Sequence, residues 1–319
     1  MRYQKHELLS FIGKKQKFLE EKTVAIIGLG ATGSTSANLL ARAGINLILI
    51  DRDVIELDNL QRQTIFDELD IGHPKVIIAK EKLSKINSKI KIEAYLLDLN
   101  YSNIDILLKA NLILDCTDNM ETRFLINDFS IFNEIPWIYA AVLGSNAMSM
   151  NIVPNKTPCF RCIFKEQESL TENCDSVGVL NTITNLISSI QSTEAIKILT
   201  NQDFNKEIFI FNIWNLQMQK LVVKKNLDCK TCFKNNFEYL EGKKYTGILK
   251  LCGQNSFQII GKPLNLKNLH KRLSKSTDAK INKYCIYSDK FTAFSDGRVL
   301  IKANSVNKAK SIYSKFITN

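Results

Sequence analysis

The chain has 319 residues, of which 45% are hydrophobic, so it is long enough to bury one large core or about two ordinary ones. Its net charge of +11 suits acidic proteins, nucleotides or nucleic acid as partners, although a compositional bias towards Lys, Asn and Ile explains the charge equally well. Only 5 Pro and 13 Gly, with apolar runs no longer than a strand, exclude a disordered chain, a collagen-like repeat and a membrane span.

The N-terminal residues, the basic motifs and the cysteines indicate where the protein functions and what it binds. Residues 1–7 include charged side chains and lead into no apolar segment with a cleavage site, so we expect a cytoplasmic protein. No aromatic-and-basic RNA motif and no basic helix with heptads is present, so nucleic acid is not an expected partner. The eight cysteines are too sparse for a disulfide scaffold, but four of them form two CxxC pairs.

The first predicted elements form a nucleotide-binding unit. A β-branched strand over Thr23–Ile27 ends in a glycine turn, a helix follows over 34–43, and a second strand over Leu47–Ile50 ends at Asp51. This order and spacing are typical of the first unit of a dinucleotide-binding fold. We expect Asp51 to hold the ribose hydroxyl groups.

The glycines of that turn are Gly28, Gly30 and Gly33. Because glycine has no Cβ atom, the backbone of such a turn can approach a phosphate, and the N-terminus of the following helix supplies N–H donors. Glycines also serve tight turns that bind nothing, and an NAD enzyme has the same first unit. The turn therefore predicts a nucleotide without identifying it.

The elements that follow alternate between helices and strands. We predict helices over 74–86, 121–132 and 180–199, and strands near 90–96, 112–114, 137–142, 147–152, 208–211 and 216–223. The fold class is therefore α/β, a Rossmann-like doubly wound sheet that is parallel in its first half and mixed or antiparallel in its second. Trp137 falls on a predicted strand and Trp214 lies between the last two of them, and both are predicted to be core residues.

After Cys232 the pattern changes to that of a small α+β module. Strands are predicted within 245–260 and 283–301, the latter with a hairpin turn at Asp296-Gly297, and helices over 266–273 and 306–316. The domain prediction is residues 1–242 for the large domain and 243–319 for the module.

Two cations and a carboxylate are placed where an open α/β sheet binds its ligand. Arg62 and Lys75 follow the second strand, and fixed cations of this kind stabilise charge that develops during attack on a phosphate. The alternative is two solvated surface cations. Asp118 follows the strand near 112–114, where its carboxylate suits Mg²⁺, and the alternative is an N-cap for the next helix.

The two CxxC pairs are Cys159/Cys162 and Cys229/Cys232, and each pair spaces two sulfurs for one tetrahedral metal. Because 66 residues separate the pairs, the fold must bring them together. Four thiolates indicate structural zinc, and redox chemistry is the less favoured alternative since neither pair opens a helix in the thioredoxin manner. Cys174 lies in a polar stretch where a thiol is accessible, so a reactive role is open.

Together these residues resemble one family, the ThiF/MoeB adenylyltransferases, which include HesA and are prokaryotic relatives of ubiquitin-activating enzymes. The resemblance covers nearly the whole chain, and the tail looks like the C-terminal extension of Firmicutes-type members. The matching segments are 2–3, 28–33, 51–53, 59–63, 74–75, 115–119, 159–162, 173–175 and 194–197.

The resemblance implies ATP-dependent adenylation of the C-terminal glycine of a small ubiquitin-like sulfur carrier, of the ThiS or MoaD type, giving an acyl-adenylate and pyrophosphate before thiocarboxylate formation. It assigns catalysis to Arg62, Lys75 and Asp118, Mg²⁺ to Asp118, and zinc to the four CxxC cysteines. The implied nucleotide-binding residues are Gly28, Gly30, Gly33, Asp51, Asp53, Asn59, Arg62, Lys75, Asp118 and Asn119.

The resemblance also implies partners. Cys174 matches a cysteine proposed to bond to the carrier during sulfur transfer, and family members generally form homodimers. Lys5 stands where the family commonly has an Arg that reaches the partner subunit's ATP, and Lys keeps the charge but loses the bidentate fork. The carrier and the sulfur donor are expected to be separate proteins. The alternatives are activation of a peptide natural product or of another sulfur pathway's substrate, and a non-catalytic carrier-binding scaffold.

Overall fold

A computed structural model describes residues 2–166, 177–245, 249–251, 256–274 and 277–318. The described residues form two compact units, one from 2–166 and 178–245 and the other from Val177 and the residues after 245. Among these residues no helix combines the length and the apolar character needed to cross a membrane.

The first unit is built on an eight-stranded sheet. Its strands are β1 (Thr23–Ile27), β2 (Asn46–Asp51), β3 (Ile92–Leu96), β4 (Leu112–Asp115), β5 (Trp137–Leu143), β6 (Asn146–Ile152), β7 (Ile208–Asn212) and β8 (Gln217–Leu221). Their spatial order is β3-β2-β1-β4-β5-β6-β7-β8. The pairs from β3 to β5 are parallel and those from β5 to β8 antiparallel, which confirms the predicted sheet.

The helices of this unit are α1 (Gln4–Glu7), α2 (Gln16–Glu21), α3 (Ala31–Ala43), α4 (Lys75–Ile86), α5 (Met120–Asn133) and α6 (Asn181–Leu199). The sequence did not indicate α1 and α2, which are too short for a helical period to show. Helix α3 begins three residues earlier than predicted, because Gly30 is its N-cap and the second half of the glycine turn is already helical.

The parallel strands are buried on both faces, as parallel strands generally are. On one face Ile26 and Leu49 pack with residues of α3, α4 and α6 in a single apolar cluster. On the other, Ile27 and Ile48 pack with Phe129 of α5 in a second cluster. Alternate residues of each strand therefore belong to different apolar clusters, one on each face of the sheet.

The two tryptophans have opposite environments. Trp137 is completely buried in the core, as predicted. The prediction for Trp214 was wrong, because this residue lies in the turn between β7 and β8 and is 78% exposed. All five residues of β8 are exposed, since β8 is the last strand of the sheet.

The second unit contains a six-stranded antiparallel sheet and two helices. The strands are β9 (Leu249–Leu251), β10 (Ser256–Ile260), β11 (Lys280–Ile281), β12 (Cys285–Tyr287), β13 (Phe291–Phe294) and β14 (Arg298–Lys302), in the order β11-β12-β13-β14-β10-β9. The helices are α7 (Leu266–Leu273) and α8 (Val306–Tyr313), and a π-helical turn over Ser314–Thr318 replaces the predicted end of α8. Gly297 has φ +94° in the predicted hairpin turn.

Candidate functional site

The glycine turn between β1 and α3 combines close packing with open space. A Cβ on Gly28, whose φ is +87°, would lie 2.7 Å from the Cys116 carbonyl oxygen, and one on Gly33 would lie 1.9 Å from the Gly28 carbonyl oxygen. At Gly30 no atom lies within 4 Å of an added Cβ. Packing therefore explains two of the glycines, while Gly30 leaves room at the N-terminus of α3, where the free N–H groups of a helix favour an anion.

Asp51 fastens the end of β2 to this turn. Its carboxylate accepts the backbone N–H of Leu29 at 2.5 Å and that of Asp53 at 2.7 Å. Burial raises the pKa of the Asp51 carboxyl, and the neighbouring Lys75 opposes that shift. Each carboxylate oxygen has a second lone pair, so these bonds leave Asp51 able to accept a further hydroxyl group.

Lys75 is the first residue of α4 and is 4% exposed. Its ammonium nitrogen lies 3.8 Å from Oδ2 of Asp53, and its backbone N–H donates to the Asp53 carbonyl oxygen at 3.0 Å. The alternative of a solvated surface cation is therefore wrong for Lys75. A buried cation at the carboxyl ends of β1 and β2 needs anionic neighbours, and Asp51 and Asp53 provide them.

The loop after β2 holds Asn59 and Arg62 in different ways. Asn59 is buried; its side-chain oxygen accepts from the Glu56 N–H at 3.3 Å, and its amide group donates to Asp58 Oδ1 at 3.0 Å. Arg62 is half-buried and donates from Nη1 to the Asp58 carbonyl oxygen at 2.7 Å. Asn59 therefore shapes the loop from which the Arg62 guanidinium extends.

Asn119, and not Asp118, caps helix α5. The Asn119 side-chain oxygen accepts from the N–H groups of Glu121 at 2.8 Å and Thr122 at 3.4 Å. The alternative reading of Asp118 as the N-cap is therefore wrong. Asp118 retains solvent access at the carboxyl end of β4. Surrounding protein nevertheless raises the pKa of its carboxyl, chiefly by desolvation and partly through Asp53, while Arg52 opposes the shift.

Two arginines belong to this region although the sequence suggested no role for them. Arg52 pairs with Asp98 through Nη1 and Oδ1 at 2.6 Å, and its charge also acts on Asp118. Arg123, on the buried side of α5, pairs with Asp115 through Nε and Oδ2 at 3.1 Å. For Arg123 the sequence did contain one indication of such a role. This arginine lies within the apolar stretch of a predicted helix, and a charge buried there requires an acidic partner.

The two CxxC pairs meet in the structure. The four sulfur atoms all lie within 4.8 Å of one another, with distances of 3.8 Å for Cys159–Cys162, 3.5 Å for Cys159–Cys229 and 3.4 Å for Cys162–Cys232. A tetrahedral Zn²⁺ with bonds of about 2.3 Å separates its sulfur ligands by about 3.8 Å. The four cysteines therefore fit zinc.

Helix α5 supports both halves of this cluster. Asn127 accepts the N–H of Phe160 at 2.9 Å, and Asp128 accepts the hydroxyl of Thr231 at 2.7 Å and the N–H of Tyr239 at 3.0 Å. Burial raises the pKa of Asp128 to about 6. One helix thus carries Asn119 at its start and the anchors of the cysteine cluster further along.

The structure does not bring Lys5 to the glycine turn of its own chain. Tyr3, beside α1, accepts from the Asn87 amide at 2.9 Å and packs on Gly44, the C-cap of α3. The glycine turn is at the other end of α3, about 20 Å away along a 13-residue helix. Lys5 is exposed on α1. Cys174 lies outside the described residues.

Comparisons with known sequences identify one family. The sequence profile of the ThiF family matches residues 3–231. The chain is 34% identical to a sulfur carrier protein ThiS adenylyltransferase of Bacillus subtilis over 99% of both chains. It is 33% identical to an Escherichia coli protein of the same description, covering 74% of this chain and 96% of the relative. A crystal structure of E. coli MccB with ATP superposes with a TM-score of 0.61 at 25% identity, over 68% of each chain.

Proposed function

The chain belongs to the ThiF family, and we propose that it uses ATP to adenylate the C-terminal glycine carboxylate of a ubiquitin-like sulfur carrier. The reaction gives an acyl-adenylate and pyrophosphate ahead of thiocarboxylate formation. A carrier of the ThiS type is the favoured substrate, because relatives covered over nearly their whole length are named for it.

The observation that carries the proposal is the buried ammonium of Lys75 at the carboxyl ends of β1 and β2, where Gly30 leaves open space. Hydride transfer to a nicotinamide has no use for a cation there. Attack on a phosphate does, because negative charge grows on the phosphoryl oxygens in the transition state. Lys75 therefore favours phosphate chemistry over a dehydrogenase reaction.

The reaction needs positioning and charge balance more than proton transfer. A carboxylate oxygen of the carrier's terminal glycine attacks the α-phosphorus, and the bond from that phosphorus to the oxygen leading to the β-phosphorus breaks. Pyrophosphate leaves with the bonding electrons. The carboxylate is already ionised at neutral pH, so no general base is required. Lys75 and Arg62 stabilise the charge on the phosphate oxygens, and Asp51 holds the ribose.

We place Mg²⁺ at Asp118, beside Asp53 and Asn119. The fit rests on the donor set, because Asp118 does not cap the helix and its hard carboxylate oxygens are the ligands that Mg²⁺ prefers. When bound there, Mg²⁺ would supply positive charge that offsets the charge of the phosphates and of the departing pyrophosphate. Asn119 positions Asp118 by fixing the start of α5.

The remaining assignments complete the proposal. Zn²⁺ at Cys159, Cys162, Cys229 and Cys232 is structural, residues 1–242 form the adenylation domain, and 243–319 are a module without an assigned role. Cys174 bonds to the carrier during sulfur transfer, and a separate protein donates the sulfur. The chain functions in the cytoplasm, where the thiols stay reduced.

We also propose a homodimer in which Lys5 reaches the nucleotide of the partner subunit. Support comes from the place of α1 at the far end of α3, which separates Lys5 from the glycine turn of its own chain. If Lys5 serves the reaction, it does so across a dimer interface.

The test is ATP–pyrophosphate exchange with the purified chain and a ThiS-type or a MoaD-type carrier from the same organism. Each carrier is also offered without its terminal glycine. We expect exchange with the intact ThiS-type carrier only. Exchange with the MoaD-type carrier would assign the enzyme to the molybdopterin pathway. No exchange with either carrier would favour a peptide substrate or a non-catalytic scaffold.

A further inference from the structure

Arg123 holds the loop that presents Asp118. Its Nε pairs with Oδ2 of Asp115 at 3.1 Å, and its Nη2 donates to the Thr117 carbonyl oxygen at 2.5 Å. The guanidinium carbon lies 5.0 Å from the centre of the Tyr139 ring, and the side chain is buried. One side chain thus ties α5 to the end of β4 and to the peptide that precedes Asp118.

The same loop is fixed from its other side. Oδ1 of Asp115 accepts the N–H of Thr117 at 3.0 Å and the hydroxyl of Thr117 at 2.6 Å. Gln191 of α6 donates to the carbonyl oxygens of Asp115 and Ile138, both at 3.0 Å. The backbone on the N-terminal side of Asp118 therefore has defined partners, and Arg123 supplies the cation among them.

We propose that Arg123 is a positioning residue for the metal: it fixes the loop that presents the Asp118 carboxylate, the group that would hold Mg²⁺, without itself contacting the nucleotide. Its Nε and Nη2 donate to Asp115 and Thr117, its Nη1 lies 3.7 Å from Sδ of Met120, and its face lies on the Tyr139 ring. Holding the Thr117 carbonyl fixes the plane of the peptide from which Asp118 projects. The inference rests on the proposed assignment of Mg²⁺ to Asp118.

The geometry requires an arginine and not only a positive charge. Two different nitrogens of one planar group donate to two acceptors while its face lies on a ring. A lysine ammonium keeps the charge near Asp115, but it has no planar fork to reach the Thr117 carbonyl at the same time. Arg123→Lys therefore loosens Asp118 while leaving a cation in the core.

The experiment measures ATP affinity at equilibrium in excess Mg²⁺ and in EDTA, and the readout is the ratio of the two Kd values. We expect Arg123→Lys to reduce the Mg²⁺-dependent gain in affinity about tenfold, as residues that orient metal ligands do, with the EDTA affinity unchanged. Exchange with the carrier should need more Mg²⁺ and recover towards the wild-type kcat at saturating Mg²⁺.

A matched control comes from the second unit. Arg298 is also buried, pairs with Asp296 through Nε and Oδ2 at 2.6 Å, and lies 4.6 Å from the Phe294 ring centre. Arg298→Lys makes the same chemical change, and we expect the Mg²⁺-dependent gain to stay at the wild-type value. An equal loss in both variants would show a general effect of altering a buried arginine and would overturn the inference.

A double-mutant cycle tests whether Arg123 acts through Asp118. In an Asp118→Asn background, Arg123→Lys should cause no further loss of the Mg²⁺-dependent gain. Additive losses would overturn the inference, as would a wild-type gain in Arg123→Lys itself. If Arg123→Lys does not fold, Asp115→Asn weakens the same hold with a side chain of equal size, and the same loss is expected. A wild-type chain that gains no ATP affinity from Mg²⁺ would instead contradict the proposed metal assignment.

Discussion

The backbone of Gly33 lies directly against the carbonyl group of Gly28, so the first turn of α3 and the end of β1 are packed without room for a methyl group. Gly30, between them, has no neighbour within 4 Å of the position that a Cβ would take. The three glycines of the turn therefore have separable roles, in folding for two of them and in ligand binding for the third.

Alanine substitutions should separate these roles. Gly33→Ala forces two backbone segments apart, and because overpacking costs about 1–3 kcal/mol we expect Tm to fall by about 2–12 °C. Gly30→Ala should leave Tm unchanged and weaken ATP binding about tenfold or more, since its methyl group fills the space above the helix N-terminus. Thermal unfolding and equilibrium ATP binding check both. Unaltered ATP affinity in Gly30→Ala would remove the turn from the nucleotide site.

The cysteine cluster predicts one zinc per chain. Cys232→Ser removes one of four ligands, so we expect zinc content well below one equivalent and a lower Tm, because the metal joins two segments far apart in the sequence. Cys285→Ser, at a buried cysteine outside the cluster, should keep its zinc. Metal analysis with thermal unfolding is the measurement. Full zinc content and wild-type Tm in Cys232→Ser would rule out the structural site.

Cys174 should matter after adenylation and not before it. Cys174→Ala leaves the nucleotide-binding residues intact, so ATP–pyrophosphate exchange should proceed at the wild-type rate. Thiocarboxylate formation should be lost, because the thiol that bonds to the carrier is absent. Mass spectrometry of the carrier after incubation with ATP and the sulfur donor measures the yield. An unchanged thiocarboxylate yield would leave Cys174 without a role in sulfur transfer.

Complementation between subunits tests Lys5. Lys5→Ala and Asp118→Ala should each abolish exchange as homodimers. A heterodimer of the two, isolated with different tags, contains one site with both residues intact and should recover about half of the wild-type rate. A wild-type rate in the Lys5→Ala homodimer, or an inactive heterodimer, would contradict the shared site.

The sequence predicted the sheet well and the loops less well, for a physical reason. A short continuous apolar run such as Leu112–Leu114 identifies a strand that is buried on both faces, so such strands are predicted correctly. Trp214 was misplaced because a large aromatic residue is typical of buried strands, whereas this one lies in the exposed turn that leads into the terminal strand β8. Hydrophobic pattern alone does not say which strand is at the edge of a sheet.

Within the site, the sequence identified the residues but not the structural role of each one. Motif spacing marked both Asp118 and Asn119, and only the hydrogen bonds show that Asn119 makes the cap. No role was predicted for Arg123 because its contacts with Asp115 and Thr117 depend on tertiary packing. The depth at which Lys75 is buried likewise depends on how α4 meets β2.

The most direct measurement is the intact mass of the ThiS-type carrier after incubation with ATP, Mg²⁺ and either wild-type enzyme or Asp118→Ala, without a sulfur donor. We expect a carrier that has gained AMP with the wild-type enzyme and an unmodified carrier with Asp118→Ala, although this variant should keep wild-type Tm and zinc content. AMP transfer by Asp118→Ala at the wild-type level would contradict the placement of the reaction at the carboxyl ends of β1, β2 and β4.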